Sequence, residues 1–129
     1  MYQIEEPTFR LLFHEEEIKE VVVKKDCSYS ADDVWRSVEL AEDYMPGKRF
    51  GVLIRAEEGG QVSSDARRAA ATERYYQHTG ALALCSDNVM QSITGNLFVR
   101  INRPKVQTRF FDNREKAINW LKDLRRTKS

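Results

Sequence analysis

Between Gly80 and Pro104 the chain reads GALALCSDNVMQSITGNLFVRINRP, an apolar run that passes through a polar step into a helical stripe and stops at a proline. Ala81 to Cys85 are apolar without interruption, bounded by Gly80 on one side and by Ser86, Asp87 and Asn88 on the other. A run of that kind suits a strand covered on both faces, so it implies a sheet with helices packed against it. Ser86 or Asp87 can accept from the free amides of a following turn and start a helix. In that helix Val89, Ile93, Phe98 and Ile101 recur at roughly helical spacing, and Pro104 forces a turn at Arg103. Gly95 weakens it by about 1 kcal/mol relative to alanine, which suits close approach of another backbone. The stretch carries almost no group able to make or break bonds, so the sequence speaks to function at the level of class.

The rest of the chain arranges itself around this unit. Thr8–Phe13 (TFRLLF) and Ile18–Lys25 (IKEVVVKK) are β-rich segments joined by a polar link, a hairpin with His14 to Glu17 at its tip. Ser30 with Asp33 three residues on resembles a capping box, and Val34, Val38 and Ala41 stripe the helix it opens, with Trp35 beside them. Pro46 and Gly47 end it. Arg49–Ala56 (RFGVLIRA) is a second core strand, followed by a glycine-bearing loop, EEGGQVSSDA. Ser63 or Ser64 can cap an alanine-rich helix from Asp65 to about His78. Val106–Phe111 (VQTRFF) is a last strand, with Asp112 and Asn113 as caps for a C-terminal helix striped by Ala117, Ile118, Leu121 and Leu124, with Trp120 alongside. The order ββαβαβαβα predicts an α/β fold: right-handed crossovers, a mixed, mostly parallel sheet of about five strands, an antiparallel N-terminal hairpin and about four helices.

At 129 residues this is expected to be a single domain, 1–129, large enough to bury a core without a staple. Cys27 and Cys85 form no CxxC or Cys/His cluster, and Cys85 falls in the apolar core run, so a buried reduced thiol in a cytoplasmic protein is expected rather than metal or redox chemistry. The acidic start and the lack of a long apolar run predict no signal peptide and no integral membrane association. A net charge of +1, from 21 basic and 20 acidic residues, gives no field for nucleic acid. Lys122, Arg125, Arg126 and Lys128 suit the negative end of a helix dipole. His14 and His78 make no metal-ligand spacing and read as surface histidines, and Glu15, Glu16 and Glu17 read as solvated acids. No phosphate-binding, dinucleotide-binding or serine-hydrolase motif occurs, so no catalytic residue, metal or cofactor is expected.

Four segments carry a family resemblance: KRFGVLIR at Lys48–Arg55, DARRAAA at Asp65–Ala71, GNLFVRINRPKVQTRFF at Gly95–Phe111 and EKAINWL at Glu115–Leu121. With the order of elements they make the chain similar to STAS domains, known from bacterial anti-sigma-factor antagonists and sulphate transporters, and to a group of small STAS-like proteins related in shape to CRAL-TRIO lipid-transfer domains. The resemblance spans nearly the whole chain. It implies a phospho-switch serine near the start of the helix after the third strand, where Ser63 and Ser64 stand. The antagonists' Asp-Ser-Ser/Thr-Gly pattern is absent, and a plain helix cap is the alternative. The narrower group has an aspartate near position 55, where this chain has Arg55.

Arg55, Arg67, Arg68 and Arg74 offer an anion or partner face, against which stand ordinary salt bridges to Glu57, Glu58 and Glu73. Tyr75, Tyr76, Tyr44, Trp35, Phe98, Phe110 and Phe111 supply aromatic surface for a partner interface if exposed, or for a small apolar ligand if they line a gap. Three readings follow. The first is a non-enzymatic STAS-like module in bacterial signalling with a protein partner, self-associating as a homodimer. The second is a carrier of a small apolar or lipid-like ligand. The third is an enzyme that requires Arg55, His78 and Glu73 to converge.

Overall fold

Ile18–Val23 (β3) is buried at every residue, the pattern of a strand with packing on both faces. The structure, a computed structural model, describes residues 2–85 and 106–127. The helix expected over 86–103, with Gly95 and Phe98, and Pro104 beyond it, lie outside the described residues. β3 sits inside a six-stranded sheet with Tyr2–Glu5 (β1), Phe9–His14 (β2), Phe50–Ala56 (β5), Thr79–Cys85 (β7) and Gln107–Phe111 (β8), in the order β1-β2-β3-β5-β7-β8. β1, β2 and β3 pair antiparallel; β3, β5, β7 and β8 pair parallel. Ser28–Tyr29 (β4) and Gln61–Val62 (β6) form a separate two-residue parallel ladder. Among the described residues the helices are Ala31–Tyr44 (α1), Ser64–Ala69 (α2), Glu73–Tyr76 (α3) and Arg114–Thr127 (α4).

The mixed, mostly parallel α/β architecture agrees with the expectation, and the hairpin is β2 and β3. Among the described residues the sheet has six strands, against about five expected. β1 escapes sequence reading because three of its four residues are exposed and Ile4 alone of them is partly buried. One expected helix, Asp65 to about His78, is two short ones. Thr72 accounts for the break: its hydroxyl donates to the Ala69 carbonyl at 2.7 Å and accepts from the Tyr75 amide at 3.3 Å, closing α2 and opening α3. Other caps fall where the residues put them. Ser30 and Asp33 form a reciprocal capping box on α1. Asn113 Oδ1 accepts from the Lys116 amide at the start of α4.

Side-chain alternation divides the core in two. One sheet face carries Phe9, Leu11, Phe13, Val21, Val23, Phe50, Val52, Ile54 and Leu82 against Val34, Val38 and Ala41 of α1, Ala66 and Ala69 of α2, and Tyr75 and Tyr76 of α3. The other carries Ile18, Leu53, Ala81 and Ala83 against Ala117, Ile118 and Leu121 of α4. Small residues let α4 lie close: a Cβ on Gly51 would meet Leu121 Cδ2 at 3.4 Å. The hairpin tip is fastened to the end of the same helix. Glu16 and Glu17 adopt left-handed backbone, which non-glycine residues hold only with support. They pair with Arg126 and Arg125, so these acids are not the freely solvated ones expected.

Lys19 is the exception inside the first core. It sits opposite Phe13 and beside Val52, only 1 % exposed. Burial alone lowers its ammonium from 10.5 to about 7. The unfolded chain keeps that proton up to the ordinary lysine range, so between pH 7 and 10 unfolding takes up a proton and stability rises with pH. Lys19→Met is therefore expected to stabilise the fold by about 1–4 kcal/mol at pH 6. The gain shrinks by pH 10, as read from urea unfolding at both values.

Candidate functional site

Glu20 points to the opposite face from Lys19, as strand alternation requires, and is 0 % exposed. Four donors surround its carboxylate. His14 Nε2 lies 2.7 Å from Oε1, Arg114 Nη2 donates to Oε1 at 2.7 Å, Arg114 Nε to Oε2 at 2.8 Å, and Arg55 Nε to Oε2 at 2.5 Å. Burial pushes the Glu20 carboxyl up, but the hydrogen bonds from His14, Arg114 and Arg55 outweigh it and hold it far below the usual carboxylate range. The elements explain the convergence. His14 is the last residue of β2 and Arg55 the last but one of β5, while Arg114 opens α4 directly after β8. Cys85, at the end of β7, is the cross-strand neighbour of Arg55. The guanidiniums reach the surface, with side chains 30 % exposed at Arg55 and 40 % at Arg114.

His14 is thus a half-buried partner of a carboxylate rather than the surface histidine expected. The signal for this cluster was present in IKEVVV: Glu20 shares its parity with Ile18 and Val22, so an inward strand face carries an acid that needs a partner. Arg114 is separated from it by 94 positions and gives no local sign of the pairing.

The other candidates are dispersed. Arg55 faces α4, whereas α2, with Arg67 and Arg68, packs on the opposite sheet face. Arg67 donates to the Val62 carbonyl, Arg68 is exposed, and Arg74 stacks its guanidinium 3.9 Å over the Trp35 ring. Ser63 caps α2: its hydroxyl accepts from the Ala66 amide, donates to the Tyr29 carbonyl and touches the Asp65 carboxylate. Ser64 is exposed in the first turn. Tyr75 and Tyr76 are buried against the sheet, and the Tyr75 hydroxyl is pushed up to about 12 by burial. Phe110 is half-buried opposite Leu84, Phe111 packs on Trp120, and Phe98 lies outside the described residues. Tyr44 is the aromatic left open. Its ring stacks 4.5 Å from Tyr2, which is nearly half exposed on β1, and lies tilted 4.5 Å from Phe13 beneath.

His78, Glu73 and Arg55 do not meet. The His78 carbonyl accepts from Phe50 at the start of β5, and Arg55 lies five residues further along, about 17 Å away. A cleft of ≈ 480 Å³ at that same starting end is lined by Lys48, Arg49, Arg125 and Glu17, and Glu17 pairs with both Lys48 and Arg125. Among the described residues no group of three or more His, Cys, Asp or Glu could hold a metal, and no helix is long and apolar enough to cross a membrane. Neither cysteine is in a disulfide, and Cys85 is half-buried rather than fully buried as expected.

Residues 12–125, from the middle of β2 to the last turn of α4, match the family described as a domain of unknown function, DUF7793. The chain belongs to that family. No curated protein matches it. Among solved structures it is similar to an uncharacterised DUF3478-family protein with a SpoIIAA-like fold from Shewanella loihica PV-4. Identity is 15 %, coverage is 88 % of this chain and 91 % of that one, and the TM-score is 0.57. The STAS-like fold expected from the sequence is therefore the fold of this DUF7793 chain.

Within that fold, removing the Glu20 charge leaves Arg114 and Arg55 facing each other without a counter-ion. Glu20→Gln is expected to cost about 3 kcal/mol at pH 7. A carboxyl lowered by folding stabilises above its unfolded value near 4.5 and loses that contribution as pH falls further. Chemical unfolding between pH 6 and 2 should show a steeper acid limb for the wild type than for Glu20→Gln.

Proposed function

We propose that the protein is a non-enzymatic STAS-like interaction module in bacterial signalling, and that it works as a homodimer joined at β1. The observation carrying this reading is the Tyr2–Tyr44 stack, two rings 43–47 % exposed beside the outer edge of a strand paired only with β2 among the described residues. Exposed aromatics at a sheet edge suit an interface, and an unpaired edge suits β-addition. A two-fold axis normal to the sheet keeps each face on its own side. Two β1 strands pairing antiparallel about Gln3 would then set Tyr2 beside the partner's Ile4 on the aromatic face, extending one sheet across both copies. Among the described residues the groups that could do chemistry are dispersed or engaged, which also supports a non-enzymatic role: all four donors on Glu20 hold structure, and Arg55, His78 and Glu73 stand apart.

In this reading the regulatory serine is Ser64, because Ser63 is engaged as a cap. A second reading, carriage of a small ligand on the aromatic face, draws on one observation: the Tyr76 hydroxyl is buried there with no hydrogen-bond partner among the described residues.

Native mass spectrometry of gently purified protein at ~10 μM tests both. The expected result is a species of twice 15.0 kDa that reverts to monomer in the doubly substituted Tyr2→Lys, Tyr44→Lys chain, whose altered side chains are exposed. A wild-type monomer, or a double variant that stays dimeric, overturns the β1 interface. A discrete extra mass of a few hundred daltons favours the carrier.

A further inference from the structure

We infer that Arg55 and Arg114 form a binding site for a phosphate-type oxyanion at the start of α4, with buried Glu20 as the strut that aims both guanidiniums. Glu20 engages Arg55 through Nε alone and Arg114 through Nε and Nη2. Both Nη groups of Arg55 and Nη1 of Arg114 therefore have no acceptor among the described residues, and they lie on side chains 30 % and 40 % exposed. Two guanidinium charges face one carboxylate, so the cluster keeps a positive surplus before His14 is counted.

Location and donor number agree with this assignment. Arg55 and Cys85 stand at the carboxyl ends of parallel β5 and β7, the edge where open α/β sheets take ligands. The positive end of the 14-residue α4 lies at the same place. Guanidinium forks match phosphate geometry, and the unused N–H groups outnumber what the two oxygens of a second carboxylate would accept. Opposing charge is modest. Asp112 is 4.0 Å from Lys116, and of the groups besides Glu20 that act on Arg114, Cys85 is half-buried and Glu115 is exposed.

A free phosphate, or a phosphorylated small molecule, and a phosphorylated side chain of a partner share this chemistry. The test follows the Nε–H resonances of the full chain by NMR during titration with inorganic phosphate, against chloride at equal ionic strength, and in parallel with a phosphoserine tripeptide. The expected result is a saturable shift confined to Arg55 and Arg114 in the millimolar range. Affinity should be at least about tenfold weaker in Arg55→Gln and unchanged in Arg68→Gln. Tighter binding of the peptide would make a partner chain the source, and equal binding the free anion. Shifts equal to those of chloride, or unchanged by Arg55→Gln, overturn the site. Should Arg55→Gln not fold, the chloride comparison on the wild type decides. The site lies on the other sheet face from the Tyr2–Tyr44 stack, so monomeric protein that still binds phosphate separates its fate from that of the β1 interface.

Discussion

A carboxylate with no solvent exposure can stay ionised only if donors replace the water it has lost, and Glu20 obtains four from positions 14, 55 and 114. This joins β2, β3, β5 and α4, elements the chain visits at widely separated points. The apolar contact between α4 and the sheet cannot supply the same definition. Gly51, Ala81 and Ala83 offer α4 a smooth, shallow surface, which fixes how near the helix comes and leaves sliding along it weakly opposed. Directional bonds at each end remove that freedom. Arg114 holds the start of the helix to Glu20, and Arg125 and Arg126 hold its end to Glu17 and Glu16 on the hairpin tip.

Adjacent residues on β3 show both outcomes of burying a charge. Lys19 and Glu20 project to opposite faces and are equally inaccessible. Glu20 is matched, so its ionised form is favoured despite burial. Lys19 lies among Phe13 and Val52 and has burial as the whole cause of its shift, so its neutral form is favoured. A network can be retained for geometry, whereas an uncompensated ammonium in an aromatic core lowers stability and has no structural role visible in its surroundings.

Local signals were legible wherever structure is local. The capping box at Ser30 and Asp33, the run at Ala81–Cys85 and the stripe at Ala117, Ile118 and Leu121 each state their element within a few residues, and the structure agrees. β1 was not legible, because an edge strand with one half-buried residue carries too little periodicity. The Thr72 break was hidden by an alanine-rich sequence whose propensity favours continuing the helix. Half of the candidate site could be read: Arg55 was singled out, but beside Arg67 and Arg68, which alternation places across the sheet from it. Its true companions are set by topology, since only the parallel order β3-β5-β7-β8 brings the start of α4 over β3.

That topology also separates the surfaces available for function. The aromatic face is filled by α1, α2 and α3, which leaves the periphery: the β1 edge on one side and the carboxyl ends of β5 and β7 on another. A third peripheral point lies at the starts of α1 and α2. Asp65 accepts from the Ala31 amide, Ser63 holds the Tyr29 carbonyl, and β4 pairs with β6 between them, so the two helix N-termini are tied. A phosphate on Ser64 would enter beside Asp65 and compete for the same amides. The Asp65–Ala31 bond, at 3.4 Å the longest of these links, is the one such a charge would break first, and through it a change at α2 would reach α1, whose last residue is Tyr44.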